Sequence, residues 1–149
     1  MKRFAAFLLL FVAWTDAAPA LEPAPAGDLA RFQGGWVAKA GPKGDIRVRL
    51  DVEGRRVKVK IGLPGGLSLA ATGELSVDES ASPRSLDWGK CRAPDGSELP
   101  EVLGIYEFRD GVLRVCNGGP NNDRPTDFAD GDGPLASVVL FEKASPPAN

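Results

Sequence analysis

Strict alternation of apolar and charged residues over 46–61 is the feature that most constrains the fold of this chain. The stretch reads Ile-Arg-Val-Arg-Leu-Asp-Val-Glu-Gly-Arg-Arg-Val-Lys-Val-Lys-Ile. Side chains along a β-strand point alternately to opposite faces, so this pattern gives each strand one apolar and one charged face. Glu53, Gly54 and Arg55 interrupt the alternation and predict a turn. The segment therefore predicts an antiparallel hairpin with one dry face and one wet face.

Similar strand patterns recur until the chain ends. A helical turn over 28–32, capped by the Asp28 carboxylate, precedes them, Gly73 marks a bulge, and Asp110–Gly111 marks a tight turn. We predict eight strands, near 36–40, 45–53, 56–62, 67–77, 85–91, 102–108, 112–116 and 136–143. The fold class is therefore all-β, and short connections favour an eight-stranded antiparallel up-and-down β-barrel with a short N-terminal helical turn. A two-sheet sandwich is the alternative.

The N-terminus has the features of an export signal. Lys2 and Arg3 precede an apolar run from Phe4 to Trp14, and the small residues Ala18–Ala20 form a cleavage site. The run is shorter than the ~20 residues that span a bilayer. We expect a secreted or periplasmic protein with no integral membrane segment after cleavage. Its predicted divisions are a signal peptide (1–20), an Ala/Pro-rich linker (21–27), one domain (28–143) and a flexible tail (144–149).

The charge of the chain excludes one class of partner. The formal net charge is −2, and removal of residues 1–20, with two cations and one acid, makes it −3. Because nucleic-acid binding needs a concentrated basic surface, we expect no nucleic-acid partner. One basic patch does lie on the hairpin face: Arg47, Arg49, Arg55, Arg56, Lys58 and Lys60. It is typical of a solvated strand face that resists edge-to-edge aggregation, and docking of an acidic partner is the sharper interpretation.

The residue types present argue against an enzyme. The chain has no histidine, which removes Ser-His-Asp and Cys-His arrangements and the commonest metal ligand. Asp87, Glu101 and Glu107 lie on or near neighbouring predicted strands, but nothing in the sequence pairs them in a pocket. We expect no catalytic residues, no metal site and no cofactor.

The two cysteines, Cys91 and Cys116, are a candidate disulfide that the sequence leaves open. Export to an oxidising compartment favours the bridge. In a simple meander, however, their strands lie two spacings apart, roughly 9–10 Å, whereas bridged Cα atoms usually lie within ~7 Å.

Five blocks resemble a known family. Arg31-Phe32-Gln33-Gly34-Gly35-Trp36 resembles the first signature of the lipocalin-like, or calycin, superfamily, and more narrowly the start of a lipocalin-like domain family common in planctomycetes. The blocks 103–108, 113–116, 124–128 and 138–143 are similar to the same family, so the resemblance spans 31–143. It implies a lipocalin-like barrel and no reaction, because that family has no established activity.

The resemblance also implies structural roles for particular residues. In lipocalins a basic residue near the last strand packs over the signature tryptophan, here Trp36, and Lys143 or Lys39 is expected to do so. Gly34 belongs to the same signature. Apart from the resemblance, the residues of the long loop lead us to expect that Arg124 pairs with a carboxylate and that Phe128 is buried, so that both anchor the loop 117–134.

Two functions follow as hypotheses. The first is binding of a small apolar or amphipathic molecule inside the barrel, near Trp36, Trp88, Tyr106 and Phe108; these aromatics either line a ligand cavity or fill the barrel. The alternative is a protein-interaction module, such as an inhibitor or an envelope assembly factor. It would act through the 117–134 loop or the basic hairpin face.

Overall fold

A computed structural model describes residues 22–128 and 138–145 and has the predicted architecture, with eight antiparallel strands closed into an up-and-down barrel. The elements in chain order are α1 (Asp28–Phe32), β1 (Gly34–Ala40), β2 (Ile46–Glu53), β3 (Arg56–Gly62), a 3₁₀ turn (Pro64–Gly66), β4 (Ser68–Asp78), β5 (Ser85–Arg92), β6 (Val102–Arg109), β7 (Val112–Pro120) and β8 (Val138–Lys143). Pairing of β8 with β1 closes the sheet, so the two-sheet sandwich is excluded. The predicted signal peptide lies outside the described residues.

Turn chemistry sets the register of the barrel. Asp110 and Gly111 have φ angles of 51° and 78°, which is the double positive φ that a two-residue hairpin turn requires. The register of β4 against β5 shifts between Thr72 and Glu74, so an irregularity does lie at Gly73, but the extra residue is on β5, where Lys90 has a φ angle of 50°. A Cβ atom at Gly73 would lie 2.9 Å from both Cys91 Sγ and Gly89 O, so this position has no room for a side chain.

The inward faces of all eight strands contribute to one apolar core, together with Phe32 of α1. Its buried members are Phe32, Trp36, Ala38, Leu50, Val52, Val57, Leu75, Leu86, Trp88, Tyr106, Leu113, Val115 and Phe141. The charged residues of the β2–β3 hairpin take the outer face, as the alternation predicted.

The two ends of the barrel differ. At the end that we call the capped end, α1 lies beside the β2–β3 turn, the 79–84 connection and the 110–111 turn. The opposite end, called the far end, carries the connections 41–45, 63–67 and 93–101. Among the described residues, no helix has the length and apolar character needed to cross a membrane.

Three local predictions need correction. The N-cap of α1 is Gly27, which has no side chain to cap the helix, and the Asp28 carboxylate does not cap it either because it accepts hydrogen bonds from Tyr106 and Arg84. Strand β7 continues to Pro120, so residues 117–120 belong to a strand and not to the predicted loop. Ala144, placed in the predicted tail, donates a backbone hydrogen bond to Gly35 O at 2.9 Å. Residues 146–149 of that tail lie outside the described part of the chain.

Candidate functional site

Three of the four aromatics proposed to line a ligand cavity pack against one another at the capped end. The ring of Phe32 meets Tyr106 at 5.0 Å and Phe108 at 5.1 Å, both edge-to-face, and Trp36 lies 6.0 Å from Phe108. The Arg31 guanidinium covers the outer side of Phe108 at 4.0 Å. Trp36 and Tyr106 are 3% and 1% exposed. At this end the aromatics therefore fill the barrel with each other.

A buried carboxylate holds α1 in place over these rings. Asp28 Oδ2 accepts hydrogen bonds from Tyr106 Oη at 2.8 Å and from Arg84 Nη1 at 2.7 Å. Its Oδ1 atom accepts a longer one from Arg31 at 3.3 Å, and its backbone N–H donates to Glu79 Oε2 at 2.6 Å. Burial by itself would raise the pKa of Asp28, but the Tyr106 hydrogen bond and the Arg31 and Arg84 charges outweigh it and hold the pKa below 3.8.

The pKa of the Tyr106 phenol is shifted in the opposite direction, upward. Burial raises its pKa above the ordinary value of 10, and the hydrogen bond to the negative Asp28 adds to the effect. Both groups therefore stay in their ordinary forms at neutral pH, one ionised and one neutral. The hydrogen bonds of this cluster connect α1 to Glu79, Arg84 and Tyr106, so the cluster fixes the helix over the capped end.

Trp88, the fourth predicted aromatic, lies apart from this cluster. Its Nε1 donates to Asn117 Oδ1 at 2.8 Å. Gly104 lies on β6 between them, and a Cβ atom there would come within 2.6 Å of that oxygen. The missing side chain at Gly104 therefore allows the Trp88–Asn117 hydrogen bond to cross the inside of the barrel.

The predicted cation over the signature tryptophan is Lys143. Its Nζ lies 4.1 Å from the centre of the Trp36 ring and donates to Gln33 O. Lys39, the other candidate, faces outward next to Arg47. Gly34 begins β1 beneath Lys143 and has a φ angle of +97°, a backbone conformation that residues with a side chain rarely adopt. These residues shape the capped end of the barrel.

Apolar residues at the far end are less covered than those of the core. Val48, Val59 and Ala71 share the inward face of β2, β3 and β4, and each is only half-buried. Beyond them Leu69 is 59% exposed and Leu67 is 68% exposed. The far end thus presents an apolar surface that continues from the inside of the barrel to its rim.

The two cysteines lie on opposite faces of the barrel wall and are not bridged to each other. Cys91 Sγ points inward, beside Gly73. Cys116 pairs across the sheet with Ile105, whose face is opposite to that of the inward Tyr106. Burial and the negative charge of Glu101 raise the pKa of the Cys91 thiol, which makes it a poor nucleophile.

The loop after β7 is anchored by Arg124, as predicted from the residues of the loop. Arg124 Nη1 donates to Gly104 O at 2.7 Å and to Leu86 O at 3.1 Å. Its Nη2 lies 2.7 Å from Asp87 Oδ1, a contact of charges without hydrogen-bond geometry. Phe128 is half-buried and lies 4.6 Å beneath the Arg114 guanidinium. The rest of the loop, 129–137, lies outside the described residues.

The carboxylates weighed for catalysis are dispersed. Asp87 pairs with Arg124, Glu107 pairs with Arg114 at 2.9 Å, and Glu101 lies near Cys91. Within the described ranges, no group of three or more His, Cys, Asp or Glu residues is arranged to hold a metal ion.

A groove of about 660 Å³ lies on the barrel wall, lined mainly by side chains of the outer face, and we call it the basic groove. It runs across β8, β1, β2 and β3, and its lining residues are Val37, Ala38, Lys39, Arg47, Val48, Arg49, Lys60, Gly62, Leu140 and Glu142. Four of these are cations and one is an acid. Val37 and Leu140 are 38% and 55% exposed. The hairpin cations were predicted from the sequence, but the apolar part of the groove was not. Val37 and Leu140 each have apolar neighbours in the sequence, so no alternation shows that their side chains face outward.

No family model, curated protein or solved structure matches the chain. The closed eight-stranded barrel agrees with a lipocalin-like fold. The narrower planctomycete family remains a prediction that rests on the blocks quoted above.

Proposed function

We propose that this protein is an exported, non-enzymatic binding domain that takes a small amphipathic molecule at the far end of the barrel. The observation that carries the proposal is the contrast between the two ends. The capped end is filled by α1 and its aromatics, whereas inward-facing Val48, Val59 and Ala71 remain half-buried below the exposed Leu69. Eight-stranded barrels have room for one small ligand at most, and the uncovered apolar residues at the mouth are the reason for proposing that the ligand binds there.

The ligand chemistry follows from this surface. An apolar segment would lie on Val48, Val59 and Ala71, with Leu69 covering its side, and a polar head would remain in water at the rim. Burial of that segment supplies about 25 cal/mol for each Å² of apolar surface removed from water. Trp88 and its partner Asn117 lie on the same inward face of the barrel, so Trp88 is a natural reporter of binding.

Export and the lack of catalysis are parts of the same proposal. Export rests on the n-region, apolar run and small-residue site within residues 1–20. The non-enzymatic character is supported by Asp28, whose carboxylate is occupied by donors from Tyr106, Arg84 and Arg31. Sequencing the N-terminus of the protein from culture medium and periplasmic fractions tests export. A protein that starts at Met1 and stays inside the cell would contradict it.

The ligand proposal is tested by extraction and by a blocking variant. Native protein is extracted with organic solvent and the extract analysed by mass spectrometry, while an apolar fluorescent probe is titrated against the same protein. Ala71→Phe fills the mouth and should abolish probe binding. Ala70→Phe is the matched control, because Ala70 lies on the outer face of the same strand. An empty extract together with equal probe binding by both variants would contradict the proposal.

A second candidate function is a protein-interaction module. The observation favouring it is the basic groove, where cations of the predicted hairpin face surround the exposed Val37 and Leu140. Affinity capture from an envelope extract at physiological salt tests it, and recovery of no partner would argue against it. The 117–134 loop was the other surface named for this role, and only its residues up to 128 are described.

A further inference from the structure

The basic groove is more than a solvated strand face. We infer that it binds a short acidic peptide segment of a partner protein, one that carries apolar side chains at one end and carboxylates at the other. The inference rests on the second candidate function above and names the chemistry of its partner.

Most of the positive charge of the groove is uncompensated. Within the described part of the chain, Lys39, Arg47 and Lys60 form no ion pair, whereas Arg49 is paired with Asp51 at 2.8 Å. Glu142 is the single acid of the lining. These cations are concentrated on one side of a protein whose formal charge is negative, so their field selects a negative partner.

The groove has two chemically different ends. Leu140 and Val37 lie on β8 and β1, and the cations Arg47 and Lys60 lie on β2 and β3. Gly62 leaves a gap beside Arg47, since a Cβ atom there would lie in ordinary contact at 3.8 Å and nothing nearer. A partner segment therefore needs apolar groups over Leu140 and carboxylates over Gly62.

The dimensions suit an extended peptide. The groove crosses three strand spacings, which is about 14 Å and equals the span of roughly four extended residues. A flat anionic bilayer fits less well, because the cations flank a hollow and only two apolar side chains are exposed in it. Nucleic acid fits less well again, since the groove contains no aromatic side chain on which bases could stack.

The experiment uses the purified protein and a fluorescein-labelled synthetic peptide in which two leucines are followed by four glutamates. Binding is followed by fluorescence anisotropy at low salt. Arg47→Gln combined with Lys60→Gln should weaken binding about tenfold, as expected for two exposed ion pairs. The matched control is Arg55→Gln combined with Arg56→Gln, which removes the same charge from the same hairpin outside the groove and should change binding less than twofold.

Further arms separate the sources of attraction. A peptide of glutamates alone should bind more weakly, and Leu140→Ser should remove that difference. Equal binding by both double variants, equal binding of the two peptides, or tighter binding to phosphatidylglycerol vesicles than to the peptide would each overturn the inference. If a captured natural partner binds the groove variant as well as the native protein, the interaction function stands and the groove is not its site.

Discussion

The capped end and the far end of the barrel contain the same kinds of apolar residue in opposite states. At the capped end Leu75 and Leu113 are fully buried, and Phe32 of α1 is fully buried above them. At the far end of the same sheet, Leu69 of β4 is 59% exposed, although it lies on the same face of its strand as Leu75. One strand therefore contributes core at one end and an uncovered apolar surface at the other.

The difference shows which part of the fold carries stability. At the capped end, apolar packing is combined with hydrogen bonds that join distant parts of the chain. Asp28 connects α1 to Tyr106 and Arg84, and the Gln33 side chain exchanges hydrogen bonds with the backbone of Gly54 at 2.7 and 2.9 Å. The far end has no comparable network of side chains among the described residues. We therefore expect the far end to tolerate substitutions without loss of the fold.

The largest effect should come from removing the residue that caps the barrel. Phe32→Ala deletes a fully buried ring and should lower the free energy of unfolding by about 3–5 kcal/mol. Chemical denaturation measures it, with Leu67→Ala at the exposed far end as the control. If both substitutions lower the free energy of unfolding by the same amount, the capped end is not more tightly packed than the far end.

Asp28→Asn should have the next largest effect, about 1.5–3 kcal/mol, since it weakens charge-assisted hydrogen bonds to Arg84 and Tyr106. The lowered pKa of Asp28 means that its contribution is present in full at neutral pH and declines as the pH falls below the ordinary value of 3.8. Between pH 6 and pH 3, the free energies of unfolding of the native protein and the variant should therefore converge, because protonation of Asp28 removes its contribution. Asp78 and Asp95 also have lowered pKa values through serine hydrogen bonds, so the difference between the two proteins is the quantity to compare. If the difference in stability between the two proteins stays constant over this pH range, the ionised Asp28 carboxylate is not the source of that difference.

Tyr106 gives a direct spectroscopic test of the same cluster, because it is the single tyrosine of the chain. Its raised pKa means that tyrosinate absorbance should be absent at pH 10 in the folded protein and half-developed in the unfolded chain. Stability should fall as the pH rises above 10, since only the unfolded phenol then loses its proton. A native titration midpoint at 10 would show that the phenol is not sealed under α1.

The architecture could be predicted from the sequence because its signals are local. The alternation over 46–61 and the Asp110–Gly111 turn each fix strand direction or register without knowledge of distant residues. Gly73 marked the place of the β4–β5 register shift, although the extra residue is on β5. The cation over Trp36 followed from the resemblance, with Lys143 and Lys39 both left open, and closure of β8 on β1 decides between them.

The site was harder to predict because it depends on contacts between distant residues. The position of Asp28 at the start of α1 predicted a helix cap. Its carboxylate instead accepts hydrogen bonds from Tyr106 and Arg84, which lie 78 and 56 residues away in the sequence. The aromatics were expected either to line a cavity or to fill the barrel. Periodicity gives the face of a side chain but not its height in the barrel, so it could not separate Trp88 from the three rings at the capped end.

A smaller effect is expected at the rim of the capped end. Lys143→Met keeps the aliphatic stem but removes the charge over Trp36 and the hydrogen bond to Gln33 O, and it should cost about 0.5–1 kcal/mol. Lys39→Met is the control, because Lys39 lies on the outer face of β1. A cost for Lys143 no greater than that for Lys39 would show that the contact with Trp36 is not stabilising.

The smallest effect on stability, and the sharpest comparison, is expected from Leu69→Ser. Because this side chain is mostly exposed, its replacement should change the free energy of unfolding by no more than ~0.5 kcal/mol. The same substitution removes apolar surface from the proposed mouth, so binding of an apolar probe should weaken while the fold is unchanged. Leu75→Ser, on the same face of β4 but fully buried, should instead unfold much of the protein. A large stability loss for Leu69→Ser would mean that the far end is packed like the capped end, and the argument for a ligand there would fail with it.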